Sequence, residues 1–310
     1  MHYNSQKISL NVRLKKLNNF FSSLKILEAI VFAVSLLFIA LSILIVCQLT
    51  YKTAQFFLNV PFENFFLSIT WNPISQGKQS FGFLPVLYGT ILITLIAVVI
   101  AAPLGILSAI FVTEILPKSL RQIIVSFIEI VSGIPTIIYG FFAVIIIAPK
   151  VKDFATICGF ENSLENALTA GIAMGIMITP FICSLSIQLF LELPKHYKES
   201  ARALGSSLGE TVLFVILPCA KHHLLSIFLL AISRSVGETM IVTMSAGNTP
   251  KITTNVFESV STITTQIVTI LSGDQEFDSP ETLAVFTLAL SLFLFTLLIN
   301  YLSEQLKKTY

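Results

Sequence analysis

Long apolar runs alternate with short polar segments along almost the whole chain. A helix needs about 20 apolar residues to cross a bilayer, at about 1.5 Å of rise per residue. Runs of that length occur near 27–49, 85–112, 123–147, 166–191, 222–246 and 281–302. Almost every run is apolar on all sides, unlike the amphipathic surface helices of a water-soluble protein. The pattern predicts an all-α, polytopic membrane protein with six transmembrane helices.

The polar segments divide this chain into an isolated first span and a core of five helices. We expect the core to occupy 85–302 and a loop over 50–84 to separate it from the first span. Residues 1–26 and 303–310 form the two tails. The longest polar segment inside the core is a loop over 192–221.

Composition supports a membrane location. Hydrophobic residues make up 55% of the 310 positions, charged residues only 12%, and the mean hydropathy is +0.85. Such values are typical of integral membrane proteins. The net charge of +2 is small, and the chain has no basic patch with interleaved aromatic residues, so a nucleic-acid partner is not expected.

The basic residues predict the orientation, because Lys and Arg are retained on the cytoplasmic side of short loops. With the N-terminus inside, 13 Lys and Arg residues fall on the cytoplasmic side and 5 outside, while Arg234 stays in the membrane. We therefore expect both termini to be cytoplasmic.

Arg234 and Glu238 lie inside an apolar run, "AISRSVGETM", where each charge costs at least ~2.5 kcal/mol at the bilayer centre. At about 100° per residue, one half of a continuous helix carries these polar side chains: Arg234, Ser235, Glu238, Thr239, Thr243 and Ser245. That half is expected to face a cavity or other helices. Two interpretations remain open: an anion pathway, or a neutralised pair that joins two helices, with Glu129 of the third span as another partner.

No metal site or catalytic cluster is predicted. The four cysteines are Cys47, Cys158, Cys183 and Cys219, and no two of them form a C-x-x-C motif. His222 and His223 are adjacent, so on a helix they point about 100° apart and cannot share a metal as an i, i+4 pair would. An intramembrane enzyme would need a nucleophile with a base or a metal cluster, and neither pattern is present.

The loop over 192–221 carries the most informative motif. Pro194 suits a helix start and Gly205 a helix end. The segment resembles the permease subunits of ABC importers, and the matching positions are Glu199, Ser200, Ala201, Gly205, Val215, Leu217 and Pro218. Ser200 and Val215 replace the alanine and isoleucine that are usual in that family. The resemblance implies a coupling helix that docks on an ATP-hydrolysing subunit.

Further motifs resemble the phosphate-importer permeases of the PstC type. They are "WNP" at 71–73, "GFLPVLYGT" at 82–90, "PLGILSAIFVTE" at 103–114, "IEIVSGIPTIIYGFF" at 128–142 and "RSVGET" at 234–239. The resemblance implies the type I, MetI-like fold and a multi-pass location in the bacterial inner membrane. It also implies that inorganic phosphate moves from periplasm to cytoplasm past Arg234 as the anion ligand, with Glu238 moderating its affinity.

The energy source must be another chain, because the phosphate-binding pattern G-x-x-x-x-G-K-[ST] is absent. The only Gly-Lys pair, at residues 77 and 78, is followed by Gln79. The resemblance implies four kinds of subunit in the complex: this chain, a homologous second permease, two ATP-binding subunits that hold ATP and Mg, and a periplasmic phosphate-binding protein. This chain itself is expected to hold no cofactor or metal and to catalyse no covalent chemistry.

Two alternatives stay open at this point. The chain could serve another oxyanion, such as sulfate, molybdate or phosphonate, since Arg234 indicates only a negative charge. An ion-coupled secondary transporter could also use kinked helices and an intramembrane Arg–Glu pair. Such a transporter would have no use for the coupling-helix pattern.

Overall fold

The computed structural model describes residues 2–74, 79–273, 276 and 278–308, with side chains described from residue 27 to residue 307 within those ranges. The chain divides into two compact units, Met1–Tyr51 and Lys52–Tyr310. In chain order, the helices are α1 (His2–Asn59), α2 (Phe62–Leu67), α3 (Leu84–Ile110), α4 (Lys118–Ser132), α5 (Thr136–Phe142), α6 (Ala148–Ile157), α7 (Ala167–Glu192), α8 (Lys195–Ala203), α9 (Leu208–Thr211), α10 (Leu217–Val236), α11 (Met240–Ser245), α12 (Ile263–Leu271) and α13 (Pro280–Lys308).

Five helical segments are long and apolar enough to cross a membrane, or six if one bent pair counts as a span. The five are Leu27–Asn59, Leu84–Ile115, Ala167–Glu192, Leu208–Val236 and Pro280–Lys307. The predicted all-α membrane fold is therefore confirmed, although several predicted boundaries are not.

The first helix is longer than its predicted span. α1 contains residues 2–26 of the predicted tail as well as the span of 27–49, and it continues to Asn59. No glycine or proline occurs in the first 59 residues, so nothing in the sequence interrupts the helix. Pro61 then restricts the residue before it to extended backbone, which ends the helix.

The third predicted span, 123–147, is not one straight helix. The segments Lys118–Ser132 and Thr136–Ile157 meet at an angle of 82°. Gly133 caps α4, and Pro135 provides no backbone donor at the start of α5. Gly133 and Pro135 therefore break the segment into two helices.

The fifth predicted span, 222–246, is wrong in both of its boundaries. The observed helix runs over Leu208–Val236, so it covers only residues 222–236 of that span, and α11 begins at Met240. Because the helix starts at residue 208, the predicted loop of 192–221 is shorter, and its last fourteen positions are helical. The motif residues Leu217 and Pro218 therefore lie in a membrane helix and not in the loop.

Prolines shape three of the other helices through wider turns. Each of three π-helical turns ends two residues before a proline: Phe111–Ile115 before Pro117, Ala143–Ile147 before Pro149, and Val212–Ile216 before Pro218. A proline inside a helix lacks a donor and crowds the carbonyl four residues earlier. At Pro149 and Pro218 the π-helical turn inserts one extra residue and bonds i to i+5, so it displaces that carbonyl, whereas Pro117 follows the end of its helix.

The centre of the core is the contact between α3 and α7. A Cβ atom added to Gly171 would lie 2.4 Å from Ile96 Cγ2, and one added to Gly175 would lie 3.1 Å from the Ala97 carbonyl oxygen. The two helices are therefore in close approach along this small-residue stripe, as such steps favour in membranes. Around it lie the buried residues Ile93, Ala97, Ala101, Ala170, Met174 and Ile178.

The predicted loop of 50–84 is partly folded. It contains α2 and a two-stranded antiparallel hairpin, β1 (Trp71–Asn72) with β2 (Ser80–Phe81), whereas residues 75–78 of that loop lie outside the described residues. Its buried aromatic side chains are Phe56, Phe65, Trp71, Phe81 and Phe83. Trp71 Nε1 donates to Gln266 Oε1 of α12 at 2.8 Å, which ties the hairpin to the segment before α13.

Candidate substrate pathway and coupling site

Arg234 lies in the last turn of α10, where a cation interacts favourably with the helix dipole. Its side chain is exposed, and its guanidinium carbon lies 4.9 Å from the centre of the Phe181 ring on α7. Such a cation–π contact is worth about 0.5–2 kcal/mol. Arg234 forms no ion pair with any acidic side chain in the described part of the chain. Its charge is therefore not neutralised by a carboxylate there.

Glu238 is not on the same helix as Arg234. It lies in the break between α10 and α11, and its Oε1 accepts a hydrogen bond from the backbone N–H of Met240 at 3.2 Å. Its carbonyl oxygen accepts from Thr264 Oγ1 of α12 at 2.9 Å. The predicted polar half of one continuous helix is therefore wrong, because the periodicity of 100° per residue does not continue through the break.

The neighbouring polar residues point in different directions. Ser235 is buried, and its Oγ donates to Met174 Sδ on α7 at 2.6 Å. Thr239 is half-buried in the break, and its carbonyl oxygen accepts from Thr243 Oγ1 at 2.7 Å. Ser235 thus packs into the core, while Arg234 remains exposed.

Glu129 lies in the last turn of α4 and is exposed. It forms no ion pair with Arg234 in the structure. α4 has no buried residue, and its exposed apolar side chains include Ile123, Phe127 and Ile130. The structure therefore leaves Glu129 on an open helix surface and does not bring it to Arg234.

Sequence reasoning did not identify Phe181. Its aromatic ring follows Pro180 in an apolar helix, where a phenylalanine is indistinguishable by pattern from any lipid-facing or core residue. Only the position of Arg234 on the neighbouring helix distinguishes it.

The predicted coupling helix forms as α8. It ends in a Schellman motif, in which Gly205 N–H donates to the Arg202 carbonyl at 3.0 Å and Ser206 N–H donates to the Ala201 carbonyl at 3.1 Å. Gly205 has φ of +86°, a conformation that a residue with a Cβ atom adopts at a cost. The motif glycine is thus required by the end of the helix.

One side of α8 is open. Ala201 is its one buried residue, whereas Glu199, Ser200 and Arg202 are exposed. Leu204, just after the helix, is 89% exposed. A charged helix followed by an almost fully exposed leucine is suited to bind another protein outside the membrane.

Leu217 and Pro218 belong to the same motif but do not lie in α8 or directly after it in the chain. They begin α10, where Leu217 N–H donates to the Val212 carbonyl across the π-helical turn. They lie within the membrane helix Leu208–Val236 that leads to Arg234, directly after its π-helical turn.

Comparison with known proteins gives consistent results. Residues 101–309 match the family described as "Binding-protein-dependent transport system inner membrane component". The "Probable ABC transporter permease protein YqgH" of Bacillus subtilis is 36% identical over 284 residues, which cover 90% of each chain. A "Phosphate transport system permease protein PstC" of Mesorhizobium japonicum is 35% identical over 219 residues, 66% of each chain.

The fold is similar to that of a solved transporter. The chain superimposes on a subunit of the MetNI methionine ABC transporter with a TM-score of 0.53, covering 73% of this chain and 94% of that one at 16% identity. At this identity the likeness concerns the fold, and it confirms the predicted MetI-like architecture. By the family match over most of its length, the chain belongs to the inner-membrane components of binding-protein-dependent transport systems.

Proposed function

We propose that this protein is the transmembrane permease subunit of an ATP-driven importer that moves inorganic phosphate from the periplasm to the cytoplasm. The observation that carries the proposal is the 35% identity to a phosphate transport permease of Mesorhizobium japonicum. The motifs "RSVGET" and "SGIP" lie in the same part of the chain as the family match. The family match gives no support to an ion-coupled secondary transporter.

Arg234 is the proposed anion ligand of the pathway. Its guanidinium is permanently charged, planar and able to donate two parallel hydrogen bonds to an oxyanion. The observation in favour is that this intramembrane cation is exposed and has no acidic partner within the described residues. A helix-joining role for an Arg234–Glu238 pair would require a contact that the structure does not contain.

The proposed role of Glu238 is to shape the break between α10 and α11, and it is not an ion-pair partner of Arg234. Its carboxylate bonds the first turn of α11 and so holds the break open next to Arg234. Thr239 extends the same break, and Ser235 fixes the last turn of α10 against α7. Glu129 would contribute a negative charge to the surface that a second permease covers.

ATP and Mg are proposed to bind to a separate chain. The exposed side of α8 is the docking surface for that ATPase, formed by Glu199, Ser200 and the end of the helix at Gly205. Ala201 packs inward and supports it. The complete importer would contain this chain, a homologous second permease, two ATP-binding subunits and a periplasmic phosphate-binding protein.

The proposed location is the bacterial inner membrane, with both termini in the cytoplasm. The basis is the 13-to-5 distribution of Lys and Arg. In this orientation α8 faces the ATPase compartment and the hairpin of β1 and β2 faces the periplasm.

Substrate competition tests the proposal. Cells that depend on this chain and its proposed partner subunits should take up radioactive inorganic phosphate, and excess unlabelled phosphate should abolish the uptake. Sulfate, molybdate or phosphonate in equal excess should not. Uptake that sulfate or molybdate suppresses and phosphate does not would assign the importer to another oxyanion.

A further inference from the structure

A part-buried ion pair connects α8 to the π-helical turn that follows α3. Lys198 Nζ lies 2.6 Å from Glu114 Oε1, and the side chains are 21% and 6% exposed. Lys198 Nζ also lies 3.4 Å from the carbonyl oxygen of Phe190 near the end of α7. Lys198 therefore contacts two membrane helices from the middle of the proposed coupling helix.

Arg121 of α4 also contacts the segment that contains Glu114. Its Nε donates to the Val112 carbonyl at 3.0 Å, and its Nη2 donates to the Thr113 carbonyl at 2.5 Å. Both carbonyls belong to the π-helical turn that contains Glu114. The end of α3 thus lies between α8, through Lys198, and α4, through Arg121. We call Glu114, Arg121 and Lys198 the junction.

The Glu114–Lys198 pair is the most enclosed of the three described ion pairs. Glu114 is 6% exposed, whereas Asp278, which pairs with Lys52, is 81% exposed. Exposed pairs contribute little, but removing one partner of a buried pair leaves a charge without compensation. Loss of either partner at the junction would therefore leave the other charge poorly compensated.

Packing alone attaches α8 weakly. Ala201 is the one buried residue of this helix, so few apolar contacts resist its movement. The ion pair, by contrast, is directional and short. A displacement of α8 would act on α3 mainly through Lys198, and α3 packs along α7 at Gly171 and Gly175.

We propose that the Glu114–Lys198 pair is a positioning contact that transmits movement of α8 to the membrane helices. The ATPase displaces α8, Lys198 displaces the end of α3, and Arg121 carries the displacement to α4 and the bend at residues 133–135. This inference rests on the proposed function, because it requires α8 to receive an ATPase. The two residues do not touch substrate or nucleotide.

The test uses the assembled importer in proteoliposomes, with ATP and inorganic phosphate as probes. Lys198→Met and Glu114→Gln should leave ATPase binding and ATP hydrolysis close to wild type. Phosphate imported per ATP hydrolysed should fall by roughly 3- to 30-fold, the range in which residues between coupled sites alter coupling. The exchange variant, Glu114→Lys with Lys198→Glu, should recover the ratio to within about threefold of wild type.

Lys251→Met is the matched control, because it removes the lysine of a Lys–Glu pair, with Glu258, outside the junction. It should leave the ratio unchanged. A ratio within about twofold of wild type in Lys198→Met would overturn the proposal, as would a loss of import in proportion to lost ATPase binding.

Two further outcomes remain decisive. If the single variants fail to insert into the membrane, the exchange variant decides. Normal membrane abundance with a low ratio of phosphate imported per ATP hydrolysed overturns the proposal. Restoration of that ratio supports it. A wild-type complex that imports sulfate in place of phosphate would refute the phosphate assignment. The junction would then be tested by the same comparison of variants, with sulfate imported per ATP hydrolysed as the measured ratio.

Discussion

Arg234 owes its position to the end of a helix and to an aromatic ring. The last turn of α10 favours a cation, and Phe181 lies 4.9 Å away. Neither partner removes its charge or occupies all of its donors. An oxyanion can therefore bind Arg234 without first displacing a carboxylate, which suits a residue that must bind and release its ligand in each cycle.

Arg234→Ala should lower phosphate uptake to below about a tenth of wild type, because truncating a charged ligand commonly costs 2–5 kcal/mol. Arg234→Lys should recover little, since Lys lacks the planar two-donor geometry. Radioactive phosphate uptake, normalised to membrane abundance, measures both effects.

Exchanging the two residues, Arg234→Glu with Glu238→Arg, provides the control. The structure contains no ion pair between these side chains, so the exchange should not restore uptake. Full uptake in the exchanged variant would show that the two residues act as a pair that joins helices, and the pathway role would be wrong.

Gly205→Ala isolates the cost of the helix end. Gly205 has φ of +86° and open space around its missing Cβ, while Gly209 has the same open space without a positive φ. Alanine at 205 should cost about 1–2 kcal/mol of local stability and speed amide exchange at Gly205 and Ser206 by roughly 5- to 30-fold. Gly209→Ala should change exchange much less. Equal protection in the two variants would contradict a strained helix end.

At the scale of the helices, the sequence predicted which segments cross the membrane and not how they break. Apolar length identified both ends of α3 and α7 to within two residues and the start of α13 to within one, whereas α13 continues six residues beyond its predicted end at 302. Pro103 and Pro180 remain inside regular helices, whereas Pro135 marks an 82° bend. These prolines look alike in sequence. Whether a proline stays inside a helix or bends it depends on which neighbours satisfy the freed backbone groups, and the sequence pattern does not show those neighbours.

The candidate site illustrates the same limit. Sequence spacing identified Arg234, Glu238 and the motif around Glu199, because charges and small residues are conspicuous in an apolar chain. It could not place Phe181 beside Arg234 or Lys198 beside Glu114, since those pairs are 53 and 84 residues apart. Only the packing of α7 and α8 against their neighbours brings them together.

The segment between α11 and α12 should respond to acid. A hydrogen bond from Lys251 lowers the pKa of Glu258, as do its bonds with Thr253 and Asn255. A lowered pKa in the folded state gives stability that is present above the usual glutamate pKa of about 4.3 and lost as the pH falls through the folded value. The protection factors of the Phe257 and Glu258 amides, which correct for the intrinsic pH dependence of exchange, should therefore fall below about pH 4.

Glu258→Gln should remove this acid response, because glutamine does not titrate. Glu63→Gln, which changes an exposed carboxylate on α2, should leave it intact. An acid response that persists in Glu258→Gln would assign the effect to another group.

At the scale of the whole molecule, the topology has one clear consequence. The predicted orientation places the loop with Gln275 outside the cell. Gln275 itself lies outside the described residues, but Ser272 is exposed after α12 and Ala203 is exposed on α8. In a background without the exposed cysteines Cys47, Cys158 and Cys219, a cysteine at 272 should react with an impermeant thiol reagent in intact cells. A cysteine at 203 should react only after permeabilisation.

Labelling of position 203 from outside would invert the proposed orientation. It would also place α8 in the periplasm, away from any source of ATP. The distribution of basic residues, 13 against 5, would then have another cause.

The most direct test of the central claim is phosphate import by the purified complex in proteoliposomes. With ATP on the α8 side and the phosphate-binding protein on the other, this chain, its second permease and the ATPase should together accumulate inorganic phosphate. Omitting ATP or the ATPase should abolish accumulation. Phosphate accumulation by this chain alone, driven by an ion gradient without ATP, would contradict the account.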